Sequence, residues 1–296
     1  MQLLKCEDLH KTLGKKHILK GINLELNEKD ILGFIGPNGA GKTTTIKLIL
    51  GLTKIDRGNV YINGYDIKKD FTKAISYVGS IVENPDMYTY LSGYDNLKLA
   101  ARLYSVDDKR INEVVGLVGL EKRINDKVSK YSLGMKQRLG IAMSILHKPR
   151  LLILDEPTNG LDPEGIKEVR NLLVKLANEE NMAILVSSHI LSELETFCTK
   201  IAIIQNGKII ETSDIKSIKQ NTNTYIIEID NTDSIEEGKN IEIIDSNKFK
   251  IHTTHDKIPY IIKKLVESDV NIYSVYEENV TLEAAFLNKT GGNVIE

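Results

Sequence analysis

Through residues 1 to about 215, short apolar runs alternate with longer stretches of helical period. Leu24 and Leu26, with residues 31–35, 151–154, 183–187 and 201–204, predict strands. Several of these runs are continuously apolar, as expected where a parallel sheet is covered on both faces. Val60-Tyr61-Ile62 leads into Asn63-Gly64, a pair that supplies the positive φ angles of a type I′ hairpin turn. Helical patterns follow the strands at 42–50, 166–179 and 191–199. This strand-then-helix order predicts an α/β domain.

Around residues 213–222 the chain turns to Ser, Lys, Asn and Thr, which predicts a linker over 216–222. Beyond it, 225–229, 241–244 and 249–252 predict strands, with a turn at Asp245-Ser246-Asn247. Pro259 suits a first helical turn, and Ile261, Ile262, Leu265 and Val266 predict one apolar helix face. A strand near 270–276 and a helix over 281–287 complete a small α+β domain spanning 223–296.

Composition narrows the class. The chain has 296 residues, with 39 Lys plus Arg against 41 Asp plus Glu, a net charge of −2. That balance lacks the basic excess of a nucleic-acid coat, so no nucleic-acid partner is expected. Cys6 and Cys198 are too few for a disulfide framework and predict buried thiols in a reducing cytosol. Neither a signal-type apolar region nor a run near the ~20 residues of a spanning helix is visible, so a membrane role is expected only through a partner.

The chemistry begins at Gly36-Pro37-Asn38-Gly39-Ala40-Gly41-Lys42-Thr43-Thr44. It fits G-x-x-x-x-G-K-[ST] between a predicted strand and a predicted helix. Glycines let successive N–H groups curl inward toward phosphate oxygens, and the helix adds its positive end. Lys42 supplies charge to the β- and γ-phosphates, and the Thr43 hydroxyl is a ligand for Mg²⁺. A chance glycine turn is the plain alternative, and the flanking strand and helix argue against it.

Leu151-Leu152-Ile153-Leu154-Asp155-Glu156 describes a buried strand with an acidic tip at the C-terminal edge of the sheet. Asp155 is expected in the Mg²⁺ shell, and Glu156 is placed to orient or deprotonate the attacking water. An acidic turn after a core strand is the alternative, weakened by the phosphate loop upstream.

Tyr131-Ser132-Leu133-Gly134-Met135-Lys136-Gln137-Arg138 places Ser132 23 positions ahead of Asp155. It resembles the signature of ATP-binding cassette (ABC) ATPases, commonly Leu-Ser-Gly-Gly-Gln, with Leu133 and Met135 at two altered positions. Pro157-Thr158-Asn159-Gly160-Leu161-Asp162 resembles the family's D-loop, and Ser187-Ser188-His189 its switch histidine. The resemblance covers residues 1 to about 215.

The resemblance implies a P-loop NTPase fold of ABC type: a RecA-like core, an antiparallel β subdomain and an α-helical subdomain at about 84–145. It also implies a head-to-tail dimer, as homodimer or heterodimer with a related cassette. Ser132 and Gly134 of one copy would then reach the ATP held by the other, Asp162 would belong to the same nucleotide site, and His189 would bond the γ-phosphate. Two departures matter. The family's adenine-stacking aromatic falls near Leu13, which implies weaker stacking, and Glu83 stands where the family usually has a metal- and permease-facing Gln. With the altered signature, Glu83 makes the chain similar to bacitracin and lantibiotic exporter or immunity ATPases.

Glu83 and Ser132 lie 49 positions apart, with amphipathic helical patterns at 97–103, 111–118 and 128–131 between them. In the family this insert and the Glu83 loop receive the permease, and Met87-Tyr88-Thr89-Tyr90-Leu91 is a candidate contact. The expected protein is a cytoplasmic ATPase, peripheral on the inner face of the membrane, powering export of a peptide antibiotic or related compound through a separate permease. A soluble mechanical ABC ATPase acting on nucleic acid or ribosomes is the alternative, but the insert is too short for a coiled-coil arm and the chain has one P-loop. A P-loop GTPase is disfavoured because its base-reading Asn-Lys-x-Asp is missing.

Overall fold

Two long strands open the chain, β1 (Gln2–Leu13) and β2 (Lys16–Asn27), paired antiparallel. The computed structural model describes residues 1–215, 224–232, 235, 238 and 240–278. With β4 (Arg57–Ile62) and β5 (Tyr65–Asp66) these strands form a four-stranded sheet ordered β2-β1-β4-β5. Asn63 and Gly64 both hold positive φ, 48° and 83°, as the type I′ reading of the β4–β5 turn requires.

The second sheet carries the chemistry. Its strands are β3 (Ile31–Ile35), β6 (Val78–Ile81), β7 (Leu151–Asp155), β8 (Ala183–Ser188), β9 (Lys200–Gln205) and β10 (Lys208–Asp214), ordered β10-β9-β3-β8-β7-β6. The pairs β9/β3, β3/β8, β8/β7 and β7/β6 are parallel. Every residue of β3, β7 and β8 is buried, which explains their unbroken apolar runs. Helix α1 (Lys42–Ile49) follows β3 and sends Ile46, Leu48 and Ile49 into a core shared with Leu4, Leu9, Leu26, Phe34 and Ile153.

Between β4 and β7 the chain is mostly helical: α2 (Phe71–Ile75), α3 (Gly93–Leu103), α4 (Asp108–Leu117) and α5 (Leu133–Ile145). Residues Val128–Lys130 form a single 3-10 turn, not the amphipathic helix expected over 128–131. Arg110 of α4 donates to the carbonyls of Ile145 (3.0 Å) and Leu146 (3.3 Å), placing a cation at the C-terminal end of α5. After β7 comes α6 (Pro163–Glu179), and after β8 comes α7 (Leu191–Glu195). Helix α7 stops four residues short of the predicted 199, where Thr199 instead bonds the backbone of Ile31. Both cysteines are buried free thiols, and burial pushes both thiol pKa values up.

The chain divides into two compact units, one formed by Met1–Ser213 and one beginning at Asp214. Strand β10 runs to Asp214, so regular structure extends into the segment that composition marks as polar. The predicted linker 216–222 lies outside the described residues. The second unit holds β11 (Thr224–Ile229), β12 (Ile241–Asp245), β13 (Lys248–His252), α8 (Ile258–Glu267) and β14 (Ile272–Glu278). Its sheet order is β12-β13-β11-β14. Ile261, Ile262 and Leu265 pack toward its core, whereas Val266 is 57% exposed and does not join that face. The helix predicted at 281–287 lies outside the described residues.

Candidate nucleotide site

The loop after β3 is shaped by contacts that only glycine permits. A Cβ on Gly36 would stand 2.3 Å from the Ile204 carbonyl oxygen, and one on Gly41 would stand 2.6 Å from Leu19 Cδ2. Gly41 also adopts φ 115°, a left-handed conformation, immediately before α1. Between them Pro37 is half-buried, Asn38 and Gly39 are exposed, and Ala40 is buried and donates its N–H to the Pro37 carbonyl at 3.1 Å. Thr43 and Thr44 are half-buried on the first turn of α1. The next hydroxyl, Thr45, is turned inward and donates to the Gly41 carbonyl at 2.9 Å. With glycine as the residue before the helix, no side chain caps the first turn of α1. Its N–H groups and the helix dipole together suit an anion.

Lys42 is only 5% exposed, and its Nζ donates to the Gly36 carbonyl at 2.6 Å and lies 3.5 Å from Glu156 Oε1. Glu156 sits just past β7 with φ 49°, a conformation that a non-glycine residue adopts at a cost. Asp155, the last residue of β7, is 4% exposed. His189 follows β8, and its buried Nδ1 lies 3.4 Å from Glu156 Oε2, outside hydrogen-bonding geometry and without another partner among the described residues. Lys42, Glu156 and His189 thus converge from three segments that the parallel sheet sets side by side.

A residue to which sequence reasoning gave no role joins this group. Ser187 is fully buried and pairs with Asp155 across the β7–β8 ladder. Its Oγ donates to Asp155 Oδ1 at 2.5 Å and accepts the Glu156 N–H at 2.9 Å. The sequence does carry a signal for it, a hydroxyl closing an apolar strand next to the acidic tip.

Ser132 and Asp162 occupy equivalent local positions. Ser132 caps α5 by accepting the Met135 N–H at 3.2 Å, and Asp162 caps α6 by accepting the Gly165 N–H at 2.9 Å. Both side chains are exposed, and Gly134 is buried against Gly165. Neither residue touches Lys42 in this chain's described contacts. A cavity of about 190 Å³ opens beside Glu156 and His189, lined also by Thr158, Asn159 and Leu161. Glu83 stands apart: its side chain is 70% exposed and pairs with Lys47 Nζ at 3.1 Å, not with a residue of the phosphate loop. In the second unit, His252 closes strand β13 and His255 opens a 3-10 turn, and their Nδ1 atoms pair with Thr224 Oγ1 (2.9 Å) and the Tyr225 hydroxyl (3.0 Å).

Residues 19–159 match the ABC transporter family. The bacitracin transport ATP-binding protein BcrA of Bacillus licheniformis is 38% identical over 307 residues, covering 99% of each chain. The chain belongs to the ABC transporter ATP-binding family. The lantibiotic transport ATP-binding protein SrtF of Streptococcus pyogenes is 43% identical over 209 residues, 70% of this ABC subunit and 89% of that protein. Among solved structures, the dimeric ATP-binding cassette MJ0796, in a post-hydrolysis state with ADP and Pi, aligns with a TM-score of 0.64 at 24% identity. That alignment covers 72% of this chain and 99% of that one, and it fixes the cassette fold of the first unit. The fold is therefore the expected α/β P-loop ABC ATPase, and the enzyme is an ATPase of an ABC transporter. Among the described residues no helix is long and apolar enough to cross a membrane.

Proposed function

We propose that this ABC ATPase powers export of a peptide antibiotic or related compound through a separate membrane permease. The convergence of Lys42, Glu156 and His189 beside an uncapped helix start is the observation that carries the catalytic part of the reading. The antibiotic part rests on similarity along the whole chain to a bacitracin transport ATP-binding protein.

Nucleotide phosphates would seat against the N–H groups of the loop from Gly36 to Thr44, with Lys42 Nζ turned from the Gly36 carbonyl onto them. Glu156 would orient the attacking water and accept its proton, and His189 would bond the γ-phosphate through its nitrogens. The residues suit Mg²⁺: the Thr43 hydroxyl and Asp155 carboxylate are hard oxygen donors. When bound, Mg²⁺ neutralises charge on the β- and γ-phosphate oxygens. Glu83, exposed beside α1, would join the outer metal shell and face the permease.

The exposed Ser132 cap supports a head-to-tail dimer in which Ser132 and Gly134 of a second copy, or of a related cassette, complete each nucleotide site. Asp162 would line the same contact. The place of work is then the cytoplasmic face of the membrane, where the permease holds the pair.

The test is Mg²⁺-dependent ATP hydrolysis by the purified chain, together with antibiotic resistance in cells that also express its neighbouring permease. Hydrolysis lost in Lys42→Ala, with resistance lost in the same variant, is the expected result. Hydrolysis by Lys42→Ala at the wild-type rate overturns the catalytic assignment, and resistance unchanged by that variant overturns the export role.

A further inference from the structure

We propose that Ser187 is a positioning residue for ATP hydrolysis, setting both acidic residues of the site through one hydroxyl. The inference rests on the roles given above to Asp155 and Glu156 and extends them.

An ionised carboxylate only accepts hydrogen bonds and a backbone N–H only donates, so the direction of both bonds is fixed. The single Ser187 proton goes to Asp155 Oδ1 at 2.5 Å, and a lone pair receives the Glu156 N–H at 2.9 Å. The first bond is charge-assisted and holds one oxygen of Asp155, so the carboxylate presents its other oxygen in a defined direction. The second holds the peptide of Glu156 in its left-handed conformation, φ 49°, and so aims that side chain between Lys42 and His189. Ser187 is fully buried, so water is not at hand to take over either bond. The strand ladder fixes it directly opposite Asp155.

Partners that orient metal ligands typically change metal affinity or activity by about 10–100-fold when removed. Ser187→Ala is therefore expected to lower kcat by about that factor while KM for ATP stays within a few-fold, because the phosphate loop is untouched. Binding of a fluorescent ATP analogue, titrated with Mg²⁺, should need about ten-fold more metal to reach its midpoint, with Mg²⁺-free affinity unchanged. A structural role alone would lower the melting temperature without moving the Mg²⁺ midpoint or splitting kcat from KM. Ser187→Cys fills the site with a somewhat larger, weaker donor and should fall between alanine and serine. It carries the test if Ser187→Ala melts below the assay temperature. A folded variant with the wild-type kcat and Mg²⁺ midpoint overturns the proposal. Lys42→Ala and Glu156→Gln run in parallel separate the two failures: if they are inactive while Ser187→Ala is normal, Ser187 alone is misassigned. If they too are active, the catalytic reading falls.

Discussion

Glu156 Oε1 lies 3.5 Å from Lys42 Nζ, so the carboxylate that would handle water and the lysine that would hold phosphate already face one another. Charge on Lys42 would be needed by the phosphates, whereas Glu156 would act on the nucleophile, and the two losses should therefore differ in kind. Glu156→Gln keeps the shape but removes the base, so it should bind ATP with near-wild-type affinity. Its kcat should fall by about 10²–10⁴-fold. With hydrolysis blocked, the ATP-bound dimer should persist, and gel filtration with Mg²⁺-ATP should show it. A strictly monomeric Glu156→Gln protein under those conditions contradicts the two-copy site.

Gly36→Ala tests the loop by packing instead of charge. The added methyl would lie 2.3 Å from the Ile204 carbonyl oxygen, a backbone atom held in β9. Overpacking of this kind costs about 1–3 kcal/mol, and here relief must come from the phosphate loop itself. Urea unfolding should shift by that amount, and binding of a fluorescent ATP analogue should weaken at the same time. A variant with unchanged midpoint and affinity would show that the loop adapts without cost.

The chemistry was legible in the sequence where it depends on local order. Gly36 through Thr44, Asp155 and His189 each sit at the end of a buried strand, and apolar runs mark such strands directly. What escaped depends on pairing between strands distant in sequence. Ser187 meets Asp155 only because β7 and β8 are neighbours in the sheet. The long β1 carries polar residues among its apolar ones and so left no clear run. Val266 misled because helical period gives a face but not its width, and the core covers only Ile261, Ile262 and Leu265. The 3-10 turn at Val128–Lys130 reflects a segment too short for periodicity to decide.

His147 links stability to pH. Its Nε2 bonds the Val78 carbonyl at 3.1 Å, its ring stacks on Tyr104 at 4.3 Å, and its buried Nδ1 has no partner among the described residues. Burial holds its pKa below the usual 6.5, and the nearby Arg110 charge adds to that, outweighing the Val78 bond. Between the folded and unfolded pKa values the unfolded chain binds the extra proton, so this contribution is intact above about 6.5 and lost as pH falls below it. Melting temperature should drop between pH 7 and pH 5 by more in the wild type than in His147→Gln, whose amide can still reach a carbonyl. Equal slopes for the two proteins would assign the acid sensitivity elsewhere.

The ion pair of Glu83 with Lys47 separates a folding role from a coupling role. Both side chains are more than one-third exposed, at 70% and 38%, and such surface pairs contribute about 0–1 kcal/mol. Glu83→Ala should therefore leave the urea midpoint, and the ATP-analogue affinity measured without Mg²⁺, nearly unchanged. If Glu83 faces the permease, the same variant should lose resistance in cells while the isolated chain still hydrolyses ATP. Lys47→Ala supplies the contrast, since it breaks the pair but keeps the carboxylate, and it should retain resistance. Loss of resistance in both variants alike would mean that the pair, not the Glu83 carboxylate, is what the transporter needs. Full resistance in Glu83→Ala would remove Glu83 from the coupling path altogether.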